Sequence, residues 1–98
     1  TSSQREADLL LNMDQERRMQ HLQNVLSDLG YADRNTLIRE QETASALVAL
    51  LERRLREHLH PLVVEMFTSW SEEDISNSLE AAQRLLGQLD DRIDTMEE

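Results

Sequence analysis

The stretch Ile75–Met96, ISNSLEAAQRLLGQLDDRIDTM, carries apolar residues at Ile75, Leu79, Ala82, Leu86, Leu89, Ile93 and Met96, spaced 4, 3, 4, 3, 4, 3. Seven residues nearly complete two helical turns, so this spacing lays the seven side chains along one narrow stripe that another helix must cover. Such a seam predicts a contact rather than a reaction, and the interface is expected on these seven residues.

Composition points the same way. A chain of 98 residues makes a single domain with a modest core, one whose stability can depend on association. Hydrophobic residues make up 39% and charged residues 31%, a balance that suits narrow seams between helices better than a thick core. Two glycines and one proline leave few positions that break a helix, which argues against the β-rich classes. The fold class expected is all-α, either a three-helix coiled-coil-like bundle or a long helical hairpin, and associating.

The formal charge is −10, and its distribution matters more than its size. Residues 1–36 sum to −2, residues 37–68 to −1 and residues 69–98 to −7. All ten basic residues are arginine, and an acidic chain without lysine has no obvious surface for the phosphate backbone, so no nucleic-acid partner is expected. Cysteine is absent, which excludes disulfides and thiolate metal sites and fits a reducing compartment. No apolar run approaches the roughly 20 residues that span a bilayer, so no membrane insertion is expected. The chain starts at Thr1 and stops at Glu98 while still in helical phase, which reads as a fragment of a larger cytoplasmic (intracellular) protein.

Three helices are expected, over about 5–29, 36–69 and 72–98, forming one interaction domain over residues 1–98. Ser2 or Ser3 is placed to cap the first and Gly30 to end it in a left-handed conformation. Its apolar residues fall in two patches, Leu9, Leu10, Leu11 and Met13, then Leu22, Val25, Leu26 and Leu29. Asp14-Gln15-Glu16-Arg17-Arg18 between them offers nothing to bury, and only Met19 bridges the gap. A turn at Tyr31–Arg34 leads to a second helix capped by Asp33 or Asn35. Its stripe runs through Leu37, Gln41, Ala44, Val48, Leu51, Leu55, Leu59, Leu62 and Met66, and small Ala44, Ala46 and Ala49 let a neighbour approach closely. Pro61 either kinks this helix or separates it from a new one that starts with proline in its first turn. Ser71 followed by Glu72, Glu73 and Asp74 is a helix start, a capping hydroxyl and then three acids at the positive end of the dipole. Asp14 to Arg18, Glu52 to Arg56 and Glu80 to Arg84 place an acid four residues before a base.

Motifs that carry chemistry are weak. Glu57-His58-Leu59-His60 contains one Glu-x-x-His spacing, whereas a di-iron bundle needs two copies. His58 and His60 point about 200° apart on a helix, so they do not share a single metal there. The serines and threonines lack a histidine and acid in a triad pattern, and no glycine-rich phosphate loop occurs. No catalytic residue, cofactor or metal ligand is expected, and the protein is read as a non-enzyme. Met66, Phe67 and Trp70 form the one cluster of large adaptable apolar groups, either core or a partner-binding site. Arg53, Arg54 and Arg56 are the densest basic group, flanked by Glu52 and Glu57. The size and helix pattern are similar to spectrin-type repeats, yet the first helix has no tryptophan where such repeats place theirs, and no function is carried over.

The sequence thus points to a coiled-coil protein–protein interaction and oligomerisation segment of an intracellular scaffold or adaptor. The partner is a second copy in a homodimer, another helical protein, or both. In a parallel self-pairing with Leu79, Leu86 and Ile93 at a, Arg92 at g lies opposite Glu97 at e of the second copy, one favourable pair. The alternative is a monomeric helical bundle that binds an amphipathic helix or peptide of a foreign partner near Met66, Phe67 and Trp70.

Overall fold

A computed structural model describes residues 1–59 and 71–97, and every regular element among them is helical. The elements are α1 (Ser2–Asn12), α2 (Gln15–Ser27), a short 3₁₀ turn (Leu29–Tyr31), α3 (Arg34–His58) and α4 (Glu72–Glu97). Pro61, His60, Met66, Phe67 and Trp70 lie outside the described residues, and so does the choice between a kinked and a broken second helix.

Each start follows from a cap. Thr1 Oγ1 accepts from the Gln4 amide at 3.2 Å, so the cap of α1 is Thr1 rather than Ser2 or Ser3. Asp14 Oδ1 accepts from the Arg17 amide at 2.8 Å and opens α2. Asp33, not Asn35, caps α3 through the Thr36 amide at 2.7 Å. Those hydrogen bonds hold the Asp33 carboxyl below its ordinary value. Ser71 Oγ accepts from the Asp74 amide at 3.0 Å and begins α4 where the acidic triplet predicts it.

The expected single helix over 5–29 is two helices that point in opposite directions. Thr1 and Ser3 share a surface trough with Leu86 and Asp90 of α4, while the last turn of α1 meets Arg18, which bonds Ser78 near the start of α4. From there α2 runs back along α4 until Leu29 and Gly30 lie beside Gln88, Asp91 and Thr95. Met13 and Asp14 are both extended, with ψ of 158° and 160°. Gly30 sits in the 3₁₀ turn, and no glycine takes a positive φ among the described residues, so the left-handed ending expected there is absent.

The reversal frees the carbonyls of the last turn of α1, and Arg18 takes them. Its side chain is only 1% exposed. Nε donates to the Leu10 carbonyl at 2.8 Å, Nη2 donates to the carbonyls of Leu11 at 3.0 Å and of Met13, and Nη1 donates to Gln15 Oε1 at 2.6 Å and Ser78 Oγ at 3.3 Å. Five N–H donors find five acceptors, and Ser78 Oγ itself donates to Gln15 Oε1 at 2.8 Å. Burial lowers the Arg18 pKa, the nearby Arg54 lowers it further, and Asp14 and Asp74 act in the opposite sense. The run Asp14–Arg18, read as having nothing to bury, therefore holds one of the most buried side chains of the fold. Asp14 is engaged as a cap, and the surface pair expected between Asp14 and Arg18 gives way to this arrangement.

α3 and α4 form the long antiparallel pair at the centre. Arg34 Nη2 meets Glu97 Oε1 at 2.7 Å and Gln41 Nε2 meets Asp90 Oδ1 at 2.6 Å, so seven residues up α3 correspond to seven down α4. Leu37, Ala44, Leu47 and Leu51 of α3 face Ala82, Leu85, Leu89 and Ile93 of α4 in one core. Leu10, Leu11 and Leu22 of the first two helices close it. The expected i, i+4 pair Glu80–Arg84 forms at 3.6 Å, and Arg53 pairs with Glu57 at 3.0 Å, all on exposed side chains worth a few tenths of a kcal/mol.

Arg18→Ala takes the guanidinium from the Leu11 and Met13 carbonyls and leaves Leu10 only the Met13 amide, and is expected to cost about 3 kcal/mol. Arg18→Lys keeps the charge but loses the planar fork, and should cost less than alanine. Urea unfolding followed by circular dichroism checks both.

Candidate functional site

The seam of α4 divides along its length. Ile75, Ala82, Leu89 and Ile93 are buried within the chain. Leu79 and Leu86 are half-buried, and Met96 is 42% exposed. The covered stripe is instead Ile75, Ser78, Ala82, Leu85, Leu89 and Ile93. It is rotated towards Ser78 and Leu85 because α2 and α3 together approach α4 from that side. The other three residues singled out for contact, Met66, Phe67 and Trp70, fall outside the described residues.

Leu86 also forms part of an open surface trough of about 750 Å³. Its floor is the outer face of α3, Glu42, Ser45, Ala46 and Ala49, where short side chains keep the helix surface low. One wall is the first turn of α1, with Ser3 Oγ donating to Glu42 Oε2 at 3.1 Å. The other is Leu86 and Asp90 of α4. The charged groups lining it are the Glu42 and Asp90 carboxylates. Three spaced small residues on α3 were visible in the sequence, but Ala44 lies in the core while Ala46 and Ala49 form the trough.

A second cluster lies inside, where α1, α2 and α3 meet. Glu40 lines a small cavity with His21, Thr43, Leu10 and Leu22. Thr43 Oγ1 lies 3.1 Å from Glu6 Oε2 and 3.1 Å from the Arg39 carbonyl oxygen. Burial pushes the Glu40 carboxyl up, the Glu6 carboxylate adds to the rise, and His21 and Arg39 oppose it. Neither carboxylate stood out in the sequence, because a glutamate one turn from an apolar stripe reads as solvated until another helix covers it. At the end of α3, the His58 Nδ1 atom is buried without a hydrogen-bond partner among the described residues.

Among the described residues no group of three histidines and acids is arranged to hold a metal ion. No helix among them is long and apolar enough to cross a membrane. Comparison with protein-family models, curated proteins and solved structures finds no match to this chain. The arrangement offers surfaces for packing, one side of which is acidic and lined by small residues.

A carboxyl whose pKa rises on folding binds its proton more tightly in the folded state. Its contribution is therefore fully present below the ordinary carboxylate pKa and is lost as pH rises through the raised value. Glu40→Gln is accordingly expected to raise the urea midpoint at pH 7 and to remove Glu40's own stabilising share as pH falls towards 5. Urea titrations of both proteins over this range measure it.

Proposed function

We propose that this chain is an association module, a coiled-coil-like helical segment through which a cytoplasmic scaffold or adaptor joins a second copy of itself or another helical protein. The observation that carries this reading is the incomplete cover of the α4 seam. Leu79 and Leu86 stand seven residues apart on one side of α4 and stay half-buried, while Ile93 ends that row inside the core and Met96, in the row of Ile75, Ala82 and Leu89, is exposed. Apolar groups repeated at seven residues along the edge of a helix are what a further helix covers. The trough beside Leu86 extends that uncovered edge onto α3.

A second reading is favoured by the burial of Ile75, Ala82, Leu89 and Ile93 inside one chain. On that reading the seam serves mainly the internal fold, and the module is a monomeric bundle that holds an amphipathic helix of a foreign protein.

Light scattering after size exclusion, over a range of micromolar concentrations, separates the two. Self-association predicts a mass that climbs to twice that of one chain as concentration rises. A helical monomer at every concentration, melting cooperatively, overturns self-association and leaves the second reading.

A further inference from the structure

The outer face of α3 carries its own row at heptad spacing, Glu42, Ser45, Ala49, Glu52 and Arg56, all exposed. Its first half is the floor of the trough. Helix axes approach to about 8–10 Å according to the side chains between them, and the short groups of Ser45, Ala46 and Ala49 set the lower end of that range. We propose that this trough receives the same face of α3 from a second copy of the chain, the two helices antiparallel and crossing at Ala49. This rests on the self-association reading and supplies its surface, orientation and symmetry axis.

Charge selects the orientation. Glu42 and Arg56 each lie seven residues from Ala49, so a two-fold axis at Ala49 sets Glu42 against Arg56 of the second copy. Ser45 and Arg53, each four residues away, become opposite, as do Ala46 and Glu52. In a two-fold interface every such contact occurs twice. Parallel pairing would instead put Glu42 on Glu42 and Arg56 on Arg56, which like charges disfavour. The Glu42 carboxylate of the trough thus meets Arg56 of the second copy, while Glu52 falls opposite Ala46 and Arg53 keeps its own pair with Glu57.

Shape agrees with charge. The walls, Ser3 on one side and Leu86 with Asp90 on the other, rise beside residues 41–49 of α3. Symmetry lays them along the 49–57 half of the second copy's helix and not against that copy's own walls at 41–49. Asp90 is carried towards Arg53 and Arg56 of the second copy, which adds a second acid to the same pair of bases. Leu86, half-buried in one chain, gains cover in the same step.

The test is sedimentation velocity on the full chain at about 50 mM salt, where exposed ion pairs are weakly screened. Glu42→Arg alone and Arg56→Glu alone are each expected to weaken the dimer about tenfold or more, whereas the combined exchange restores it, because the charges have only changed places. Ala49→Arg is expected to give a monomer of unchanged helicity, since Ala49 is exposed in the single chain. A dimer indifferent to Ala49→Arg and to Glu42→Arg overturns this interface while self-association stands. Failure of the double exchange to restore what the single changes remove overturns the antiparallel pairing. A wild-type chain that is monomeric at every concentration overturns both this interface and the reading on which it rests.

Discussion

The buried guanidinium of Arg18 is the constraint on which the topology depends. A helix that stops inside a fold leaves carbonyls without partners, and the reversal between α1 and α2 creates that situation in the middle of the bundle. A fork of five donors in a fixed plane answers it with one residue, reaching two carbonyls of the last turn of α1, the Met13 carbonyl and two side chains beyond. Because a guanidinium is not deprotonated in proteins, the joint is not a titratable switch. Asp14 works from the other side of the break, capping α2 and lending opposite charge to the same spot. The first two helices can then lie against opposite partners, α1 on α3 and α2 on α4.

With the inner faces thus occupied, α3 is the helix that looks both ways. Leu37, Ala44, Leu47 and Leu51 face inward to α4 and the reversal, while Glu42, Ser45, Ala49 and Glu52 face out. The inward stripe is apolar apart from Thr43. The outward one is small and charged. α4 is more one-sided, and its acids lie mostly on exposed positions, where Asp90 accepts from Gln41, Glu97 pairs with Arg34 and the rest add a general field.

Much of the helix content was legible in the sequence. The 4-3 spacing in residues 75–96 located α4, Ser71 located its start, and Asp33 was one of two caps named for α3. The reversal at Met13–Asp14 was not legible, because the same five polar residues fit either a solvated stretch of straight helix or a corner. Deciding between them requires knowing that Ser78, sixty residues away, supplies an acceptor for Arg18. The phase of the α4 stripe was read one edge off for a similar reason. Leu79 and Ser78 are both admissible neighbours of Ile75 and Ala82 until the positions of α2 and α3 select the buried one, and Ser78 wins because it serves the arginine. Glu40 escaped notice because burial of a carboxylate by another helix leaves no mark on periodicity.

The placement of Arg18 also bears on how sharply the bundle comes apart. In a chain with only α1 and α2 formed, the guanidinium could remain hydrated and lose little. Its removal from water is offset only when the corner carbonyls, Gln15 and the Ser78 hydroxyl are assembled together, which brings the two ends of the chain into one unit. A partly built bundle therefore carries the desolvation cost without all the bonds that offset it. Four of the five acceptors lie within residues 10–15, so the Ser78 hydroxyl is the bond by which this corner ties the first two helices to α4.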